Sequence, residues 1–183
     1  MKNTTTVFIN LLAIARYDHM PDYPIQFMTV GQLHYANPGD VQLRYEESQQ
    51  DDETGEIQKA NILLSLRDGR ITMERNGDYS NTMVFSKGQR FEGVYHTPYG
   101  EMDMAVFTKE AACQFGRSEG NMHLKYQLNI QGSYASTNEL HLEYRTEPGT
   151  TRAAKGNESH EDHSHRSGNM GHGTGTGSCT ERA

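Results

Sequence analysis

Tryptophan is missing from this sequence, and cysteine nearly so: Cys113 and Cys179 are the only two. One lies in a strand-like segment and the other near the C-terminus, so they make no disulfide framework. Cys113 has no Cys-x-x-Cys context and reads as an inert, buried or half-buried thiol. Long apolar runs are absent as well. No segment approaches the ~20 apolar residues that a membrane-spanning helix needs. The short apolar run near the start is broken by Asn10, Arg16 and Asp18. It lacks the apolar core and cleavage site of a secretory leader, and a cytoplasmic location is expected.

Positive charge is in deficit. Seventeen Lys and Arg stand against 24 Asp and Glu, a net charge of −7. Such a surface repels a phosphate backbone, which disfavours nucleic-acid partners. Arg67, Arg70 and Arg75 are interleaved with Asp68 and Glu74, as on a solvated strand face. Also missing are a serine nucleophile elbow, a glycine-rich phosphate loop, a Cys-pair zinc site and a His-Glu-x-x-His helix. No cofactor is expected.

What apolar content there is, 34% of residues, is unevenly spread. From Glu147 onward Gly, Ser, Thr, His and charged residues dominate. Such a stretch cannot bury enough apolar surface to offset the entropy of ordering it. The sequence therefore divides into a folded domain over 1–146 and a disordered tail over 147–183.

Within the domain, period two dominates. Met122, Leu124, Tyr126, Leu128 and Ile130 alternate with His123, Lys125, Gln127 and Asn129. Leu140, Leu142 and Tyr144 alternate with His141, Glu143 and Arg145. That is the pattern of strands with one dry and one wet face. Strands are expected at about 5–16, 24–36, 41–47, 57–67, 70–76, 80–86, 90–96, 101–108, 111–116, 121–131 and 139–146. Asp68-Gly69 is a two-residue hairpin turn that would place Arg67 opposite Arg70 and Leu64 opposite Met73. Thr97-Pro98-Tyr99-Gly100 is a four-residue turn that would set His96 opposite Glu101, Tyr95 opposite Met102 and Gly93 opposite Met104. Many short, evenly spaced strands joined by hairpins favour an antiparallel, closed or nearly closed β-barrel, because closure removes exposed edges.

The body resembles the YwiB-like family of bacterial proteins of unassigned function. The resemblance runs through Leu43-Arg-Tyr-Glu-Glu-Ser48, Arg75-Asn-Gly77 and Met83-Val-Phe85. It continues through Arg90, Glu92-Gly93, Tyr95, Thr97-Pro-Tyr-Gly100, Thr108-Lys109 and Leu124-Lys-Tyr126. It covers roughly residues 5–146, and it implies a lipocalin-like, calycin-type barrel with no catalytic motif to carry over. The Gly-x-Trp signature of secreted lipocalins is absent, and the His-rich tail is a departure from the family.

Candidate chemistry is sparse. Tyr95, Met102, Met104, Tyr126, Leu128 and Tyr144 fall on the inward face and could line a lumen for a small, partly apolar ligand. Ordinary core filling is the competing reading, since small barrels fill with their own side chains. His96 beside Glu101 is the best candidate for an enzyme site at the barrel mouth, against a plain surface cross-strand pair. Glu46 and Glu47 would suit a paired acid/base site, but neighbours on a strand point to opposite faces, so both read as residues of a solvated acidic loop. That 46–56 loop could serve as a protein contact. His160, His163, His165 and His172 in the tail have spacing suited to weak metal chelation. The leading expectation is a non-enzymatic binding barrel.

Overall fold

The computed structural model describes residues 4–51, 53–147 and 177–178. Ten strands follow one another along the chain: β1 (Thr4–Arg16), β2 (Tyr23–Asn37), β3 (Asp40–Gln50), β4 (Ile57–Arg67), β5 (Arg70–Gly77), β6 (Asn81–Phe85), β7 (Arg90–Thr97), β8 (Gly100–Phe115), β9 (Glu119–Ile130) and β10 (Ser133–Arg145). Each pairs antiparallel with its successor except β6 with β7, and β10 returns to pair with β1. The result is an up-and-down barrel with one incomplete seam. A two-residue strand, β11 (Gly177–Ser178), adds to β8 at Phe115 and Gln114. Apart from Glu147 and these two residues, the expected tail lies outside the described residues. Cys113 is disulfide-bonded, which corrects its reading as a free thiol; Cys179 lies outside the described residues.

The hairpins form where turn chemistry dictates. Asp68 and Gly69 have φ of 51° and 74°, the left-handed pair that a type I′ turn requires. Arg67 then faces Arg70, Leu66 faces Ile71 and Leu64 faces Met73. Asp40 lies 3.6 Å from Arg67 and relieves the like-charged pair. At the second predicted turn, the Thr97 hydroxyl accepts from the Tyr99 N–H at 3.1 Å and donates to the Gly100 carbonyl at 2.9 Å. His96 faces Glu101, Tyr95 faces Met102 and Gly93 faces Met104, as the alternation required.

Three strands differ from the sequence expectation: β3 runs on to Gln50, β10 begins at Ser133 rather than near 139, and two expected strands are one. The segments 101–108 and 111–116 are a single strand, β8, with a bulge between Thr108 and Glu110. The extra residue shifts the inward face from Met104, Val106 and Thr108 to Ala111, Cys113 and Phe115.

The interior has two unlike halves. One end is solid apolar core: Val7, Ile9, Leu11, Leu33, Val41, Leu43, Leu64, Leu66, Ile71, Phe85, Met122, Leu124 and Leu142 are essentially inaccessible. Tyr144 closes that end, with its ring 5.7 Å from that of Phe115 and its hydroxyl donating to the Gly116 carbonyl at 2.7 Å. Arg117 lies over the Tyr35 ring at 4.8 Å. Towards the other end the same inward positions carry Ala13, Phe27, Glu47, Arg75, Asn81, Tyr95, Met102 and Asn138, all partly exposed. The strands thus close one end by packing and leave the other end wet.

Candidate functional site

The wet half meets the seam between β6 and β7. Among the described residues, these strands are joined by one bridge, with the Ser80 N–H to the His96 carbonyl at 3.0 Å and the reverse bond at 2.9 Å. At its far end the connecting turn leaves β6 and extends the β7–β8 ladder instead. The Gly88 N–H donates to the Thr108 carbonyl at 2.9 Å, and the Thr108 N–H donates to Gln89 at 3.1 Å. Between these two ties the ladder is open. A cavity of about 320 Å³ occupies the opening, lined by Arg75, Asn76, Ser80, Asn81, Thr82, Phe91, Gly93, Val94 and His96.

Strand parity turns Arg75 inward, where it forms an ion pair with Glu47 across the barrel wall. Both side chains are about three-quarters buried, at 30% and 23% exposure. Charges held this far from water are costly unless paired and hydrogen-bonded, and each supplies the other's partner. Tyrosines surround them. Burial pushes the Tyr45 hydroxyl well above its ordinary value, Glu47 adds to this and Arg75 opposes it. Burial likewise raises Tyr95. Tyr126 is pushed up to about 12 by burial, with smaller contributions from Glu47 and Tyr17. All three phenols are therefore neutral at physiological pH and offer hydroxyl protons rather than bases to a bound molecule.

Among the described residues three buried side-chain oxygens have no hydrogen-bond partner: Tyr45 Oη and Asn81 Oδ1, in one row of the strand register with Arg75, and Thr108 Oγ1 at the far end of the seam. All three stand at inward positions of β3, β6 and β8. An unsatisfied buried polar atom costs about 1–3 kcal/mol, and native interiors hold few of them.

The six lumen residues expected from sequence share the inward face but not one location. Tyr144 belongs to the closed end and Met104 is buried at 3% exposure. Tyr126 packs on Phe85, ring centroids 4.9 Å apart. Tyr95, Met102 and Leu128 sit nearer the wet half, where Tyr95 stacks on Tyr79 at 6.1 Å. His96 Nδ1 lies 3.0 Å from Glu101, both side chains well exposed at 51% and 70%. In the acidic loop, Glu46 pairs with Lys59 at 3.1 Å. Asp51 accepts from the N–H groups of Glu53 and Thr54, which hold its carboxyl below the usual range. The tail histidines His160, His163, His165 and His172 lie outside the described residues. Sequence reading missed Arg75 and Glu47, taken there for solvated residues. The clue was their parity with Met73 and Tyr45, two buried residues on the same strands.

These features define a class: a small all-β barrel, filled at one end and polar at the other, with an open seam. The chain belongs to the family described as a domain of unknown function (DUF1934), which matches residues 13–142. A solved structure, the ywiB protein from Bacillus subtilis, is similar over 82% of this chain and 96% of its own, with a TM-score of 0.65 and 20% identity. At that identity the likeness shows a shared fold. No curated protein matches the chain. Among the described residues no helix is long and apolar enough to cross a membrane.

Proposed function

We propose that this protein is a cytoplasmic, calycin-type binding barrel. It takes up a small, partly apolar molecule at the wet half of the interior, entered through the β6–β7 seam. The observation that carries this reading is the two unpartnered inward oxygens, Tyr45 Oη and Asn81 Oδ1, that flank Arg75 of the Arg75–Glu47 pair in the strand register. A ligand with an apolar body and a polar end satisfies such groups, with Tyr95, Met102, Leu128 and Phe27 as walls. Binding without turnover fits the chemistry of the site, since its phenols stay protonated and no nucleophile stands among them. The His96–Glu101 pair lies on the wet face of the same hairpin, and that exposure leaves it short of a shielded acid–base site.

The competing location is a groove of about 340 Å³ on the outer wall, lined by Phe8, Met28, Val30 and Arg145 among others. It is more apolar, but it lacks buried polar groups awaiting partners. The test is saturable binding of anilinonaphthalene sulfonate, an apolar fluorophore with an anionic end, competed by a metabolite extract of the host. Binding should weaken in the paired variant Arg75→Met with Glu47→Gln, and in Met104→Trp, which fills the lumen. Probe binding that is absent, or indifferent to both changes, would overturn the proposal.

A further inference from the structure

The outer wall carries a second constellation, independent of the interior. His123 of β9 and His141 of β10 are direct cross-strand partners, and their rings stack with centroids 4.3 Å apart and planes 15° off parallel. Glu139 stands two residues before His141, on the same face. Its Oε1 lies 3.3 Å from His123 Nε2 and 3.6 Å from His141 Nε2. One ligand atom from each of the three residues falls within 4.8 Å of the others.

We infer that His123, Glu139 and His141 form a binding site for a divalent late transition-metal ion of the Zn²⁺ class. Bonds of about 2.0–2.1 Å at tetrahedral angles place neighbouring ligand atoms about 3.3 Å apart. The two His-to-Glu139 distances are already close to that edge. Two imidazoles and one carboxylate are a donor set that such ions prefer. Three protein ligands leave further positions to water.

The surroundings hold the donors in place. Arg16 Nη1 donates to the other oxygen of Glu139 at 2.6 Å, and Asp22 holds Arg16 Nε at 3.0 Å. That bond fixes the carboxylate while leaving Oε1 for the histidines. Glu110 lies 3.8 Å from His123 Nδ1, the nitrogen that must carry the proton when Nε2 binds a metal. Glu139, Glu110 and Asp22 outnumber Arg16 and Lys125 around the site, so the local field favours a cation. Arg16 lies on the far side of the carboxylate and lowers the affinity without blocking the ligand atoms.

The tail histidines would compete for metal, so the test uses the full chain carrying His160→Gln, His163→Gln, His165→Gln and His172→Gln. Calorimetric titration with Zn²⁺ should show one ion bound per chain, with loss of the Nε2 proton signals of His123 and His141 by NMR. His123→Ala, His141→Ala and Glu139→Gln should each weaken binding by about tenfold or more. Both imidazoles are partly exposed, at 32% and 43%, so truncation removes little packing. Circular dichroism checks the fold of each variant, and Glu139→Gln keeps the side-chain volume should an alanine variant misfold. Absence of binding in the tail variant, or binding unchanged by all three substitutions, would overturn the assignment.

Discussion

Gly120 is a position where a single methyl group should be strongly destabilising. It pairs with Tyr144 across β9 and β10, and the tyrosine ring lies over it. A Cβ built on Gly120 would come within 2.5 Å of the Tyr144 Cε1, Cζ and Oη atoms. The ring cannot shift cheaply, because it is 1% exposed, packs on Phe115 and donates to Gly116 at 2.7 Å. Displacing it forfeits part of the ~1.5–3 kcal/mol of a large buried side chain and the ~1 kcal/mol of its hydrogen bond. The gain from a stiffer unfolded chain is only ~0.4–1 kcal/mol. Gly120→Ala should therefore destabilise by about 2 kcal/mol, read as a lowered urea midpoint at unchanged slope. The cause can be isolated with a double-mutant cycle. In a Tyr144→Leu background the same substitution should cost less than about 0.5 kcal/mol, because the obstructing ring is gone. An unchanged midpoint in the single variant, or an equal loss in both backgrounds, would refute the proposed packing.

Two further outcomes follow from the ion pairs. The Arg16 hydrogen bond, aided by His123 and opposed by burial, lowers the Glu139 carboxyl from its ordinary 4.5 to about 2. A depressed folded-state value means stabilisation that is full above 4.5 and lost as pH falls towards 2. The stability difference between wild type and Glu139→Gln, measured by urea unfolding, should shrink over that range and be flat above pH 6; a difference that grows on acidification would contradict the assignment. His96→Ala should change stability by no more than about 0.5 kcal/mol, because the His96–Glu101 pair is solvated. A larger loss by thermal melting would show that the imidazole braces the seam as well as its backbone does.

Much of the barrel was legible because period two and turn chemistry agree. Asp68-Gly69 fixed one register and Thr97–Gly100 another, and each put apolar residues on one face. The bulge at Thr108 was hidden for a physical reason. One extra residue inverts the parity, so a continuous strand reads as two. The Gln131-Gly132 turn was missed likewise, since Gln131 adopts φ of 51° without being a residue that favours it. Parity with Tyr45 and Met73 marks Glu47 and Arg75 as inward residues, but their pairing was illegible, because they lie 28 positions apart on strands that are not neighbours. The outer cluster was half visible. His123 and His141 stood on wet faces, but only the β9–β10 register makes them neighbours.

The central claim, that the polar half of the interior is a binding site, is tested most directly by methyl NMR of the methionines. Met83 and Met102 lie on inward positions, Met104 borders the buried core, and Met28 stands on the outer wall at 79% exposure. On titration with anilinonaphthalene sulfonate, Met83, Met102 and Met104 should shift together in a saturable manner, with Met28 unmoved. Shifts confined to Met28 would place the probe in the outer groove and contradict the interior site.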